Sequence, residues 1–154
     1  MKKTSFALAI GLTCAFAAQA LAVDEPENVI KYRQSVMKAI GGHTGAIVGV
    51  VKGDVSFSSH VAAHARGIHE MSKLIPDIFP KGTDRGAYPS TRALPEIWND
   101  RAKFEAAFKK LQTESAKLVE VAQGGDVRAI GAQLKNVGKA CGGCHKPFRA
   151  EDKK

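Results

Sequence analysis

Residues 141–145 read Cys141-Gly142-Gly143-Cys144-His145, and they close a longer periodic stretch that begins at Val127. Two thiols about one helical turn apart, with an imidazole directly behind the second, form the C-x-x-C-H pattern of covalent c-type haem attachment. Each thiol adds across one vinyl group of a porphyrin, and the imidazole is held under the iron as proximal ligand. Upstream, Val127, Ile130, Leu134 and Val137 recur at steps of three and four, and Cys141, Cys144 and Phe148 continue the series. The motif therefore extends the buried stripe of a helix, which places a haem inside a helical bundle rather than on a loop. The motif occurs once, so one haem is expected.

Three further helical stretches lie before it. Pro26 to Val51 repeats Val29, Ile30, Arg33, Met37, Ile40, Ile47, Val48 and Val51 at helical spacing. Its glycines Gly41, Gly42, Gly45 and Gly49 each cost roughly 1 kcal/mol relative to alanine, and predict close approach of another helix or of a flat ligand. Ser58 to Leu74 buries Val61, Ala65, Ile68 and Met71, with Ile75 following on. Glu96 to Gln123 buries Ile97, Phe104, Phe108, Leu111, Leu118 and Val121. Gly124-Gly125 stops that helix and Asp126 caps the next. Between the second and third helices, Pro76, Pro80, Pro89, Pro95, Gly82 and Gly86 predict a long ordered loop. A loop of that length in a compact domain is usually functional or packed over something. No strand, repeat or low-complexity tract competes with this all-α reading.

The chain opens with a leader. Lys2 and Lys3 precede an apolar run from Phe6 to Phe16, and Ala20-Leu21-Ala22 is a small-x-small cleavage site. The run is shorter than the roughly 20 residues that span a bilayer, and Asp24 and Glu25 follow at once. Residues 1–22 are thus read as a signal peptide cleaved after Ala22, and residues 23–154 as one periplasmic domain. Cys14 leaves with the leader. The remaining cysteines are both in the motif, and the absence of a βαβ context argues against a thioredoxin-like dithiol. A formal net charge of +8, two of it from the leader lysines, points to acidic protein partners or an anionic membrane face. Nucleic acid is disfavoured, because no aromatic residues interleave with the basic ones. Zinc is the rival claimant for the thiols, with His60 and His64 as further ligands. His43 and His69 receive no role.

The pattern resembles the class II c-type cytochromes, the cytochrome c′ and cytochrome c-556 group. The resemblance rests on the C-terminal motif followed by Phe148-Arg149, on Arg33-Gln34 and on Lys52-Gly53. It also rests on Phe79-Pro80, Gly82-Thr83-Asp84, Thr91-Arg92 and Pro95-Glu96-Ile97-Trp98, and it covers essentially the whole mature chain. It implies an antiparallel four-helix bundle, often dimeric, with haem c on the C-terminal helix. By the same resemblance, Cys141 and Cys144 attach the haem, His145 is its axial ligand and Arg149 lies close by. Arg33 and Gln34 lie near a propionate, and Arg suits that role because its planar fork pairs a carboxylate bidentately. The alternative for this pair is a solvated helix edge. Ser90 and Thr91 are further candidates for the haem edge.

Met37 separates the two branches of the group. In the cytochrome c-556 branch a methionine there is the sixth iron ligand; in the five-coordinate cytochromes c′ the residue covers the distal face without binding. A thioether raises the reduction potential and suits an electron carrier. The favoured reading is a one-electron carrier ligated by His145 and Met37, with no catalytic residues. Its rival is a five-coordinate protein binding NO or CO in an apolar distal pocket of Met37, Ile40 and Val36. Lys135, Lys139, Lys146, Arg149, Lys153 and Lys154 surround the haem helix and suit an acidic redox partner.

Overall fold

The computed structural model describes residues 24–151. The leader with its cleavage site, and Lys153 and Lys154, lie outside the described residues. The element order is α1 (Pro26–Lys52), a single 3-10 turn (Ser58–His60), α2 (Val61–Lys73), α3 (Glu96–Asn99), α4 (Arg101–Gln123) and α5 (Val127–Phe148). The four long helices form a four-helix bundle. α1 packs on α2, α2 on α4, and α4 on α5, while α1 and α5 touch more sparingly. Among the described residues no helix is long and apolar enough to cross a membrane.

The helix ends follow from local chemistry. Pro26 opens α1 at a position where its missing N–H costs nothing. Gly53, at φ 78°, closes it: Gly53 N–H donates to Val50 O at 3.0 Å and Asp54 N–H to Gly49 O at 2.9 Å. That pair of bonds is a Schellman cap, which needs a left-handed residue. Asp126 caps α5 by accepting from Arg128 N (2.9 Å) and Ala129 N (3.4 Å). The short turn between α4 and α5 makes those two helices antiparallel neighbours.

Two expectations need correction. The third helix is not continuous from Glu96: the backbone breaks at Asp100 (φ −125°, ψ 63°), whose carboxylate accepts from Lys103 N at 3.1 Å. Asp100 competes with the helix by capping a new one, and the short α3 lets Trp98 donate its indole N–H to Phe79 O at 3.1 Å. Of the two partners expected for the α1 glycine run, another helix is not found, whereas Gly41 lines an open cavity beside α5. A Cβ at Gly41, Gly42 or Gly45 would meet nothing within 4 Å, and one at Gly49 would meet only Val55, at 3.7 Å. The close approaches fall elsewhere: a Cβ at Gly131 would lie 2.9 Å from Val51, and one at Gly67 would lie 2.5 Å from the His43 ring.

The core stripes match the periodicity. Ile30, Ile40, Ile47, Val61, Ile68, Phe104, Leu118, Ile130 and Val137 are all buried. Phe104 is the aromatic hub, with Phe79, Phe108 and Phe148 edge-on to it at 5.0–5.5 Å between centroids. Such T-shaped pairs align ring edges with ring faces and add to area burial. The Pro-rich loop 76–95 is tied down at its far end, where Leu94 N donates to Phe148 O (3.0 Å) and Ala150 N to Arg92 O (2.8 Å). That extended pairing fixes the loop against the end of α5.

Candidate haem site

A cavity of about 570 Å³ opens beside α5, within the size range of cofactor pockets. Cys141, Cys144 and His145 line it from α5; Met37, Ile40, Gly41 and Thr44 line it from α1. Phe104, Phe108 and Leu111 of α4 supply apolar wall, and its polar members include Arg33, Gln34, Lys38, Thr91, Arg92 and Arg149. The spacing along α5 explains the first group, since positions 141, 144, 145 and 148 share one helical face. Thr44 offers little to a ligand, because its hydroxyl hydrogen is donated to Ile40 O at 2.8 Å.

The two thiols are free and half-buried. Burial pushes Cys144 up to about 11, with Cys141 adding to the rise, and burial also raises Cys141. A dithiol redox centre needs the opposite, a stabilised thiolate. The His145 imidazole is held below its ordinary range by burial, then by Arg149 and Arg92. It is therefore neutral at pH 7, the state in which a ring nitrogen can bind iron. Arg149 Nη1 stands 3.5 Å from His145 Nδ1, too long for a strong hydrogen bond. Two thiols and a neutral imidazole on the wall of an apolar cavity fit a covalently held haem.

Arg33 is not a solvated edge residue: it is 3 % exposed. Its Nη1 donates to Thr83 Oγ1 at 2.9 Å and to Ile78 O at 3.4 Å, and its Nη2 to Thr83 O and Thr91 Oγ1, both at 2.9 Å. The guanidinium also lies over the Phe79 ring, 4.6 Å from its centroid. All these partners are neutral, and burial pulls its pKa down to about 10. It remains a cation at pH 7. Gln34 Nε2 donates to Ser90 O at 2.9 Å. The structure thus brings Arg33, Gln34, Ser90 and Thr91 together, with α1 gripping the loop. Thr91 reaches the cavity wall, whereas the Ser90 side chain is exposed.

Sequence reading missed the role of Thr83, fully buried and bonded twice to Arg33 across 50 positions. Only its place in a loop motif marked it. The zinc alternative fails, since among the described residues no group of three or more His, Cys, Asp or Glu is placed to hold a metal ion. The remaining histidines lie away from the cavity. His43 meets His64, His69 Nδ1 stands 3.2 Å from Ser115 Oγ, and His60 stacks on Phe57.

The family model described as Cytochrome C' matches residues 28–149. A cytochrome c′ of Rhodospirillum rubrum is 35% identical over 152 residues, covering 98% of this chain and all of that one. A cytochrome c-556 of Agrobacterium tumefaciens is 33% identical over 121 residues, covering 78% of this chain and 95% of the relative. Among solved structures, a nitric oxide complex of a cytochrome c′ leucine variant from Alcaligenes xylosoxidans superposes with a TM-score of 0.76. It shares 30% sequence identity and covers 85% of this chain and 100% of that one. The family model and these relatives match along almost the full described length, and the chain belongs to the cytochrome c′ family, whose proteins carry a covalently attached haem c.

Proposed function

We propose that the protein is an exported, periplasmic monohaem protein that takes a diatomic gas, NO or CO, on the α1 side of its haem. In this reading Cys141 and Cys144 hold the porphyrin, and His145 is the only protein ligand to iron. Met37 packs over the open face without binding. When bound, the haem supplies a coordination site and a one-electron couple. The chain's part is to position and to exclude. Its α1 wall presents the Met37 thioether, Ile40, a bare glycine at 41 and a Thr44 hydroxyl already committed to backbone, with Arg33, Gln34 and Lys38 as its polar members. The Met37, Ile40 and Gly41 part of this wall carries no side-chain hydrogen-bond donor, so it does not stabilise a polar bound dioxygen and suits NO or CO. That wall is the observation that carries the proposal, and the nitric oxide complex of the Alcaligenes relative supports it. At the other edge Arg33 donates all four Nη hydrogens to the loop, so in this reading it supports a propionate through its positive charge rather than through a bidentate pair, while Gln34 and the Ser90–Thr91 segment hold the loop that frames it.

Optical and EPR spectra of the purified holoprotein test this. The expected result is high-spin ferric haem, ready CO uptake when reduced, and an unchanged ferric spectrum in Met37→Leu. A low-spin spectrum with a methionine-to-iron charge-transfer band, lost in Met37→Leu, would overturn it in favour of the second reading. That second reading is the one-electron carrier with Met37 as sixth ligand. It is favoured by Met37 and His145 lining one cavity and by the likeness to a cytochrome c-556. Neither reading assigns a catalytic residue.

A further inference from the structure

His43 on α1 and His64 on α2 meet away from the haem cavity, neither of them lining it. Their Nδ1 atoms are 3.0 Å apart, and the rings are tilted by 54° with centroids 5.3 Å apart. The contact has a built seat. Gly67 lies three residues after His64, on the same face of α2, and any Cβ there would sit 2.5 Å from His43 Nε2. The bare backbone at 67 therefore lets the His43 ring lie down on α2 with Nδ1 turned toward its partner. Both rings are half-buried, so water and ions reach them.

We propose that His43 and His64 form a two-imidazole site for a divalent transition-metal ion, with copper(II) the preferred occupant. Imidazole nitrogens bind such ions at about 2.0–2.1 Å. Two bonds of that length at a right angle put the nitrogens about 2.9 Å apart, and a tetrahedral angle puts them about 3.4 Å apart. The observed 3.0 Å matches the right angle, the geometry of tetragonal copper(II) or nickel(II). Copper(II) then leads on intrinsic affinity among first-row divalent ions. Among the described residues no third side chain completes the set, so water occupies the other positions. The ion would staple α1 to α2 independently of the haem.

The same 3.0 Å also suits an N–H···N bond between neutral rings. A metal must displace that shared proton to Nε2, and the experiment separates the two cases. The ferric holoprotein is titrated with copper(II) chloride and followed by calorimetry and by EPR, where the copper signal is resolved from the haem signal. The expected result is one ion per chain with micromolar affinity and hyperfine structure from two nitrogens. His43→Ala and His64→Ala each weaken binding at least tenfold, as does Gly67→Ala, which unseats the ring. His69→Ala leaves binding unchanged, and the haem spectrum of every variant stays that of the parent. No saturable binding, or binding that survives both His43→Ala and His64→Ala, overturns the proposal.

Discussion

Arg33 brings a full positive charge into the interior with four hydrogen bonds to neutral oxygens and one aromatic face. Hydrogen bonds from a charged donor contribute about 1.5–3 kcal/mol each at most, and orphaned buried acceptors cost about 1–3 kcal/mol. Arg33→Met keeps the stem but strands the carbonyls of Ile78 and Thr83, so it should destabilise the holoprotein by about 2–3 kcal/mol. A urea midpoint measured on haem absorbance checks this, and a shift under about 0.5 kcal/mol would remove the clamp role. Arg33→Lys should recover only part, because an ammonium cannot span Thr83 and Thr91 as the planar fork does. The sequence at this scale marked Arg33 as special but left open what it touches. Thr83 and Thr91, 50 and 58 positions away, became its partners only through the path of the loop.

At the scale of elements, α5 approaches α1 closely where Gly131 faces Val51. Gly131→Ala gains helix propensity of roughly 1 kcal/mol. It also drives a methyl to 2.9 Å from a β-branched side chain that has few rotamers to retreat into. Overpacking of that kind costs about 1–3 kcal/mol, so a net loss of about 1 kcal/mol is expected by thermal or urea unfolding. Val51→Ala added to Gly131→Ala should reverse it, and an unchanged double mutant would show that the contact relaxes freely. The helices themselves could be read from apolar spacing, because period is local. The break at Asp100 could not, because Asp is both an acceptable helix residue and a good cap. The choice between those roles is made by the packing of α3, with Trp98 bonded to Phe79 O. The α1 glycines left a helix and a flat ligand both open for the same reason, since a missing Cβ says that approach is allowed and not what approaches.

At the scale of the molecule, Lys135, Lys139 and Lys146 are exposed along the helix that carries the haem motif. Positive charge beside a redox or ligand-binding centre raises encounter rates with acidic partners, and salt screens it within about 10 Å at 0.1 M. If the protein exchanges electrons with such a partner, Lys139→Glu with Lys146→Glu should slow the exchange several-fold at low ionic strength, and the difference should vanish at high salt. Stopped-flow rates that do not depend on ionic strength would exclude steering. What the sequence determined by itself was the set of residues that chemistry demands at short range. The C-x-x-C-H motif at Cys141, Cys144 and His145, the four apolar periodicities and the cap at Asp126 depend only on neighbours within a turn or two. Tertiary structure alone decided the burial of Arg33 beneath the loop, the seating of His43 over Gly67 and the break at Asp100. It also decided how the wall facing His145 is composed, with Met37 beside a Thr44 already committed to backbone. Those features depend on where segments tens of residues apart come to rest, and a linear pattern of side chains carries no distance between them.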